Sequence, residues 1–257
     1  MQLSTKPAAT GTVLDGFRQS GSFKCLFPGR RNAALDAVLL NTAGGVTGGD
    51  QFDVSAHATP GTTLTLTTQA CERAYKAQPG EVGKVTNRLR VDTDARINWL
   101  PQETILFNGS ALTRRLKVDL AKGASLLMVE PLIFGRPAMG EEVTDLRFRD
   151  RIEIRQDGVP LFLDAMVLHG NAHDHLARPF GAGGAGAMAL VVLVAADAEA
   201  HLPAVRDALP AFGGVSLLRE DLLVMRLLAE DSFALRQTLL PVLHHLNGGP
   251  LPRCWKI

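Results

Sequence analysis

Cysteine is scarce in this chain and tyrosine nearly absent: of 257 residues, three are Cys (Cys25, Cys71, Cys254) and one is Tyr (Tyr75). An odd number of widely spaced cysteines does not form a disulfide framework, and without a CxxC pair it offers no structural zinc site. A reduced, cytoplasmic protein is expected. Long hydrophobic runs are also missing. The longest, Met188 to Ala196, is shorter than the roughly 18 residues a bilayer requires, so no membrane association is expected. The opening MQLSTKPAATGTVLDG lacks the basic and apolar regions of a signal peptide. Neither charge is in large excess: 27 Lys and Arg meet 26 Asp and Glu, for a net +1. Nucleic acid is therefore not an expected partner. No GxSxG elbow occurs, and nothing else signals an enzyme.

Apolar residues and glycine are plentiful. With 46% of residues apolar, the chain can bury a large core, and one domain over residues 1–257 is expected. The segment NTAGGVTGGD, Asn41 to Asp50, follows the apolar run Ala37 to Leu40. Its glycines, Gly44, Gly45, Gly48 and Gly49, point to a sharply shaped loop. A phosphate-cradling loop needs Lys-Ser or Lys-Thr after its last glycine, then a helix. Here Asp50 comes next, followed by the alternating Phe52, Val54, Ala56 and Ala58 of a strand, so nucleotide binding is disfavoured.

From Phe52 to about Phe162 the pattern is β. Val85, Leu89 and Val91 oppose Lys84, Arg88 and Arg90, and Leu116, Val118 and Leu120 oppose Arg115, Lys117 and Asp119. Turn signals fall at Pro60-Gly61, Pro79-Gly80, Asp92 to Asp94, Asn108-Gly109, Lys122-Gly123 and later Asp157-Gly158, and in the middle of this run they are roughly 14 to 15 residues apart. Two-faced strands without helices between them predict a mainly β fold of sheets packed together or wound into a coil, although no sequence repeat accompanies the spacing. Near the C-terminus about two helices are expected. One runs over Ala198 to Leu209. The other starts at an Asp231-Ser232 cap and ends at Leu246, with Pro241 predicting a kink or break. His169 to Gly186 reads as a loop.

Metal-like text is confined to HGNAHDH, which holds His169, His173, Asp174 and His175. Imidazoles suit nickel or zinc, but in a loop that spacing has no set geometry, and a solvated loop is the simpler account. His244 and His245, adjacent on a helix, point about 100° apart and do not chelate together. Three other segments carry polar groups among bends. TTQACERAYKA holds Gln69, Arg73 and Tyr75, NWLPQETILF holds Trp99, Pro101, Gln102 and Glu103, and EPLIFGRPAMGEE holds Glu130, Gly135, Arg136, Gly140 and Glu141.

Together with GGVTGGD and the terminal Pro252-Arg253-Cys254-Trp255, the order of these segments resembles the UreD (or UreH) family of urease accessory proteins, from about Phe23 onward. There are departures. Cys71, Glu72 and Arg73 replace the small residues and lysine that often precede the tyrosine, HGNAHDH matches no family motif, and the arginine-rich Gly29 to Asn32 is unusual. The resemblance implies a mainly β, helix-like coiled sheet with a couple of α-helices, acting as a non-catalytic scaffold. It implies partners of the UreF type, through them UreG, and apo-urease, so a hetero-oligomer. It implies no permanently bound cofactor, only transient Ni²⁺. Carboxylates suit passage of Ni²⁺ because they hold it more weakly than imidazole or thiolate. Asp50, Glu103, Glu130 and Glu141 are the expected route, with His169, His173 and His175 as weaker candidates. The alternatives are a histidine-based metal storage or sensing protein and a β-rich hydrolase using Cys71. The terminal helix and Arg253 to Trp255 are expected to make a subunit contact or anchor the tail.

Overall fold

A strand with one apolar face needs a second layer to cover it, and this chain supplies one by winding each strand back over its predecessors. The computed structural model describes residues 1–29 and 33–256; Arg30, Arg31 and Asn32 of the arginine-rich stretch, and Ile257, lie outside the described residues. A hairpin of β1 (Gln2–Ala8) and β2 (Gly11–Arg18) comes first, then β3 (Phe23–Leu26). The winding part holds β4 (Leu35–Asn41), β5 (Gln51–Ala58), β6 (Thr63–Thr68), β7 (Glu72–Ala74) and β8 (Gly83–Val91). It continues with β9 (Arg96–Leu100), β10 (Thr104–Leu106), β11 (Ala111–Leu120), β12 (Ser125–Phe134) and β13 (Leu146–Gln156). After β14 (Val159–Gly170) come α1 (Ala172–Ala177), β15 (Ala187–Val194), α2 (Ala198–Ala208), β16 (Gly213–Arg219), β17 (Leu222–Ala229) and α3 (Ser232–Leu246).

The long strands alternate between two sheets. β4, β6, β9 and β12 lie parallel in one, and β5, β8, β11 and β13 lie parallel in the other. A narrow third face forms where Val46 bridges Ala74, β7 pairs β10, and β10 pairs the end of β12. These are stacked coils, as expected. The turns at Gly61, Asp94, Gly123 and Asp157 share one edge: Gly61 N bonds Thr93 O at 3.4 Å and Lys122 N bonds Asp157 Oδ1 at 3.1 Å. Those at Gly80 and Gly109 lie on the opposite edge, so the turn spacing in the sequence is half a coil. At one end β1 lies parallel to β5 and the antiparallel β2 and β3 finish the two sheets, and the antiparallel β14 through β17 close the other.

Between the sheets, Leu64, Leu66, Leu89, Ile97, Val118, Leu126, Met128 and Ile154 are buried. On the opposite face of β12 and β15, Leu127, Val129, Val191 and Leu193 meet Leu235, Leu239 and Leu243 of α3. Strands covered on both faces read as continuous apolar runs, as these two do.

Several expectations need correction. HGNAHDH is not a loop: His169 is the last residue but one of β14, which ends at Gly170, and His173 and His175 lie on α1, where Asn171 Oδ1 accepts from Asp174 N at 3.0 Å as an N-cap. The two helices expected near the C-terminus are present as α2 and α3, and the short α1 joins them as a third among the described residues. Helix α3 begins at the Asp231 cap (Oδ1 to Ala234 N, 2.8 Å) but runs through Pro241 without a break. Pro241 faces solvent, and Leu239, Val242 and Leu243 are clamped onto the sheet on either side of it. No helix is long and apolar enough to cross a membrane among the described residues.

Candidate functional site

The parity of a strand decides which side chains enter the interior, and three charged residues break the apolar phase. Arg114 shares the inward side of β11 with Leu112, Leu116 and Val118, Asp150 that of β13 with Phe148 and Ile152, and Glu130 that of β12 with Leu126 and Met128. Parallel registry brings them together. Arg114 Nη1 donates to Glu130 Oε2 at 2.9 Å and to Thr104 Oγ1 at 3.0 Å, while Nη2 binds Asp150. Trp99 Nε1 donates to Glu130 Oε1 at 2.7 Å. Arg114 Nε is buried with no partner among the described residues. Burial by itself would lower the Arg114 pKa, but Asp150 and Glu130 outweigh it and hold it above the ordinary value. Burial raises the Glu130 pKa, and Asp150 adds to it, because one guanidinium serves both carboxylates.

This cluster walls a cavity of about 140 Å³ between the sheets, also lined by Asn41, Cys71, Glu72, Asn87, Thr104 and apolar Phe23, Leu39 and Leu112. Gly44, Gln69 and Arg73 line it and are exposed, so it opens to solvent beside the glycine loop. Glu72 accepts from Asn41 Nδ2 at 3.1 and 3.3 Å, and burial raises its pKa. Burial, with the adjacent Glu103 carboxylate, pushes the Cys71 thiol up to about 11. A protonated thiol is a poor nucleophile, which weakens the hydrolase alternative.

Glu103, 1% exposed, lies behind this wall. Arg236 of α3 grips it in two places, Nε to Oε1 at 2.6 Å and Nη2 to Oε2 at 2.9 Å, and Nη2 also reaches Gln102 Oε1 at 2.7 Å. Cys71 Sγ donates to Glu103 Oε2 at 3.2 Å. Burial opposes ionisation of Glu103, yet Arg236 wins and lowers its pKa. Trp255 lies under Arg236 and donates Nε1 to Leu100 O at 3.0 Å, so the expected tail anchor is present. Arg253 is exposed beside it.

The remaining motif residues build the third face. Tyr75 Oη donates to Gly44 O at 3.2 Å, and a Cβ on Gly45 would stand 2.2 Å from the Tyr75 ring, so only glycine fits there. A Cβ on Gly48 would likewise meet that of Glu81 at 2.5 Å. Phe107 packs edge-on to Tyr75 and lies under the Arg136 guanidinium. Arg136 in turn pairs with Glu141 at 2.9 Å, which lowers the Glu141 pKa. Gly135 and Gly140, immediately before the two members of this pair, adopt positive φ. Asp50 Oδ2 accepts from Thr47 N at 2.9 Å, and Asp50 N donates to Thr47 O at 3.3 Å, closing the turn around Gly48 and Gly49.

The four expected carboxylates are thus not gathered at one point. Glu130 lines the cavity, Glu103 backs it through Cys71, and Asp50 and Glu141 lie outside it. His173 shares a depression of about 380 Å³ with Glu141, while His169 lines a different one. Among the described residues no three His, Cys, Asp or Glu side chains form a metal cage. Sequence reasoning missed Arg114, Asp150, Glu72, Asn41 and Arg236. For Arg114 and Asp150 the signal was present, as charges in the apolar phase of a strand.

Comparison with known proteins identifies the family. The family described as UreD urease accessory protein matches residues 1–256. A protein of Ruegeria pomeroyi named urease accessory protein UreD is 62% identical over 100% of both chains. Proteins of that name from Roseobacter denitrificans and Rhizobium johnstonii are 51% and 42% identical, over 100% and 93% of this chain and 93% and 88% of their own.

Proposed function

The chain belongs to the UreD family of urease accessory proteins, and on that premise we propose that it is a non-catalytic scaffold of urease maturation that passes Ni²⁺ onward. In this proposal it docks on apo-urease and holds a UreF-type partner, and through it a UreG-type one. The observation that supports the conduit most is the carboxylate-bearing cavity between the sheets.

Its chemistry suits a cargo that must leave. Glu130 and Glu72 offer oxygen donors, weaker for nickel than imidazole or thiolate, and the Cys71 thiol keeps its proton at neutral pH. Glu130 shares Arg114 with Asp150, so one guanidinium serves two carboxylates and an entering cation would supply the second positive charge. The guanidinium then competes for the same oxygens and speeds release. Asp50 and Glu141 stand nearer the surface as the route's outer groups, Glu103 steadies its wall, and His169, His173 and His175 play at most a peripheral part.

The test is the nickel content of urease matured with Glu130→Ala. Arg114 keeps Asp150 as counter-ion in this variant, so the fold and the partner complex should persist while nickel in urease falls severalfold. Full nickel loading by the variant would overturn the conduit.

A further inference from the structure

The C-terminal helices carry two imidazoles that nothing above uses. His201 on α2 and His245 on α3 meet edge to face, with planes at 84° and ring centres 4.9 Å apart. His201 Nδ1 lies 3.0 Å from His245 Nε2. On the far side of the first ring, His201 Nε2 stands 3.5 Å from Asp197 Oδ2, one turn earlier on the same helix. We propose that this pair is a surface site for a borderline divalent cation of the Ni²⁺, Cu²⁺ or Zn²⁺ class, bound through His201 Nδ1 and His245 Nε2.

Geometry is the first support. At a metal–nitrogen distance of about 2.1 Å, two neighbouring ligands of a square or octahedral ion stand about 3.0 Å apart. The two nitrogens already have that spacing, and only ring rotation is needed to aim both lone pairs at one point. Orientation is the second. Asp197 Oδ2 stands on the side of the His201 ring away from His245, where a carboxylate behind a ligating imidazole is the usual orienting partner of a metal-bound histidine. Rigidity is the third. The two rings sit on separate helices, and α3 is pinned to the sheet by Leu235, Leu239 and Leu243.

Two protein ligands leave the other positions to water, which makes the site exchangeable. The nearby Arg96 guanidinium bonds Leu246 O at 3.0 Å, and Asp197 offsets its charge. His244, next in sequence, is exposed and not part of this contact.

Titrating the purified full chain with Cu²⁺, followed by calorimetry and electron paramagnetic resonance, tests the site. One bound equivalent whose spectrum shows two imidazole nitrogens is expected. His201→Ala and His245→Ala should each weaken it at least about tenfold, the lower end of what loss of a supporting metal-site group costs. His244→Ala serves as the control and should leave it unchanged. Binding that survives His245→Ala at full strength, or a spectrum with fewer than two nitrogens, overturns the proposal. Either result leaves the cavity reading untouched, since the cavity residues remain in every variant.

Discussion

Glu103 and Glu130 are both buried and both held by an arginine, but their surroundings differ. Arg236 turns its fork to Glu103 and the Gln102 amide, one guanidinium to one carboxylate. Arg114 divides its fork between Glu130 and Asp150, keeps one N–H without a partner among the described residues, and faces a cavity. The pKa directions follow: Glu103 is lowered and Glu130 raised. A one-to-one pair ties a helix to a sheet, whereas two carboxylates sharing one guanidinium beside open space leave oxygens for a third ion. Similar residues thus serve structure in one place and, in our proposal, transport in the other.

The largest effect should come from opening the one-to-one pair. Arg236→Ala leaves Glu103 buried without its cation, and breaking such a pair costs about 3–5 kcal/mol. Urea unfolding should show that loss, and a change much smaller than this would erase the distinction between the two centres.

Acid titration sharpens the comparison. The lowered Glu103 contributes stability that is present above the ordinary carboxylate value of 4.5 and lost as pH falls through its folded pKa beneath it. Glu103→Gln should therefore flatten the acid limb of a stability–pH curve. Glu130 has the opposite sign: its raised pKa makes its charge cost stability above 4.5. Glu130→Gln should accordingly be as stable as the parent or more so at neutral pH, with the difference vanishing in acid. Thermal melts across pH 3 to 8, roughly the range in which these groups titrate, would show whether the two variants diverge.

The smallest effect concerns Cys71, which touches both centres. With its thiol pushed from 9.0 to about 11, it should hold about a hundredfold less thiolate than an ordinary cysteine. Alkylation by iodoacetamide at neutral pH should be correspondingly slow, and Cys71→Ser, which keeps a donor to Glu103, should change stability little. Fast alkylation would show that the wall between the two centres opens readily.

Much of the fold was legible along the chain because strand alternation, turn residues and helix caps are local. β8, β11, α2 and α3 follow from such patterns, and the Asp231 cap lies where the residue type indicates. The N-terminal β1 to β3 and β16 gave no comparable signal, since KPA and GGV are weak strand formers held by pairing with neighbours. Of the candidate site, Glu130 and Trp99 were legible through motifs, and Arg114 and Asp150 only through their phase. Arg236 and the His201–His245 contact were not, since each joins elements far apart in the chain.

Residue order alone determined which segments are strands, which face of each is apolar, where the chain turns, and which family its motifs resemble, because these depend on neighbours within a few positions. Only the tertiary structure decided that the strands stack as coils, that a cavity remains where charged side chains enter the lumen, and which arginine neutralises which carboxylate. Parallel registry and burial set those pairings across long stretches of chain, and no local pattern encodes them.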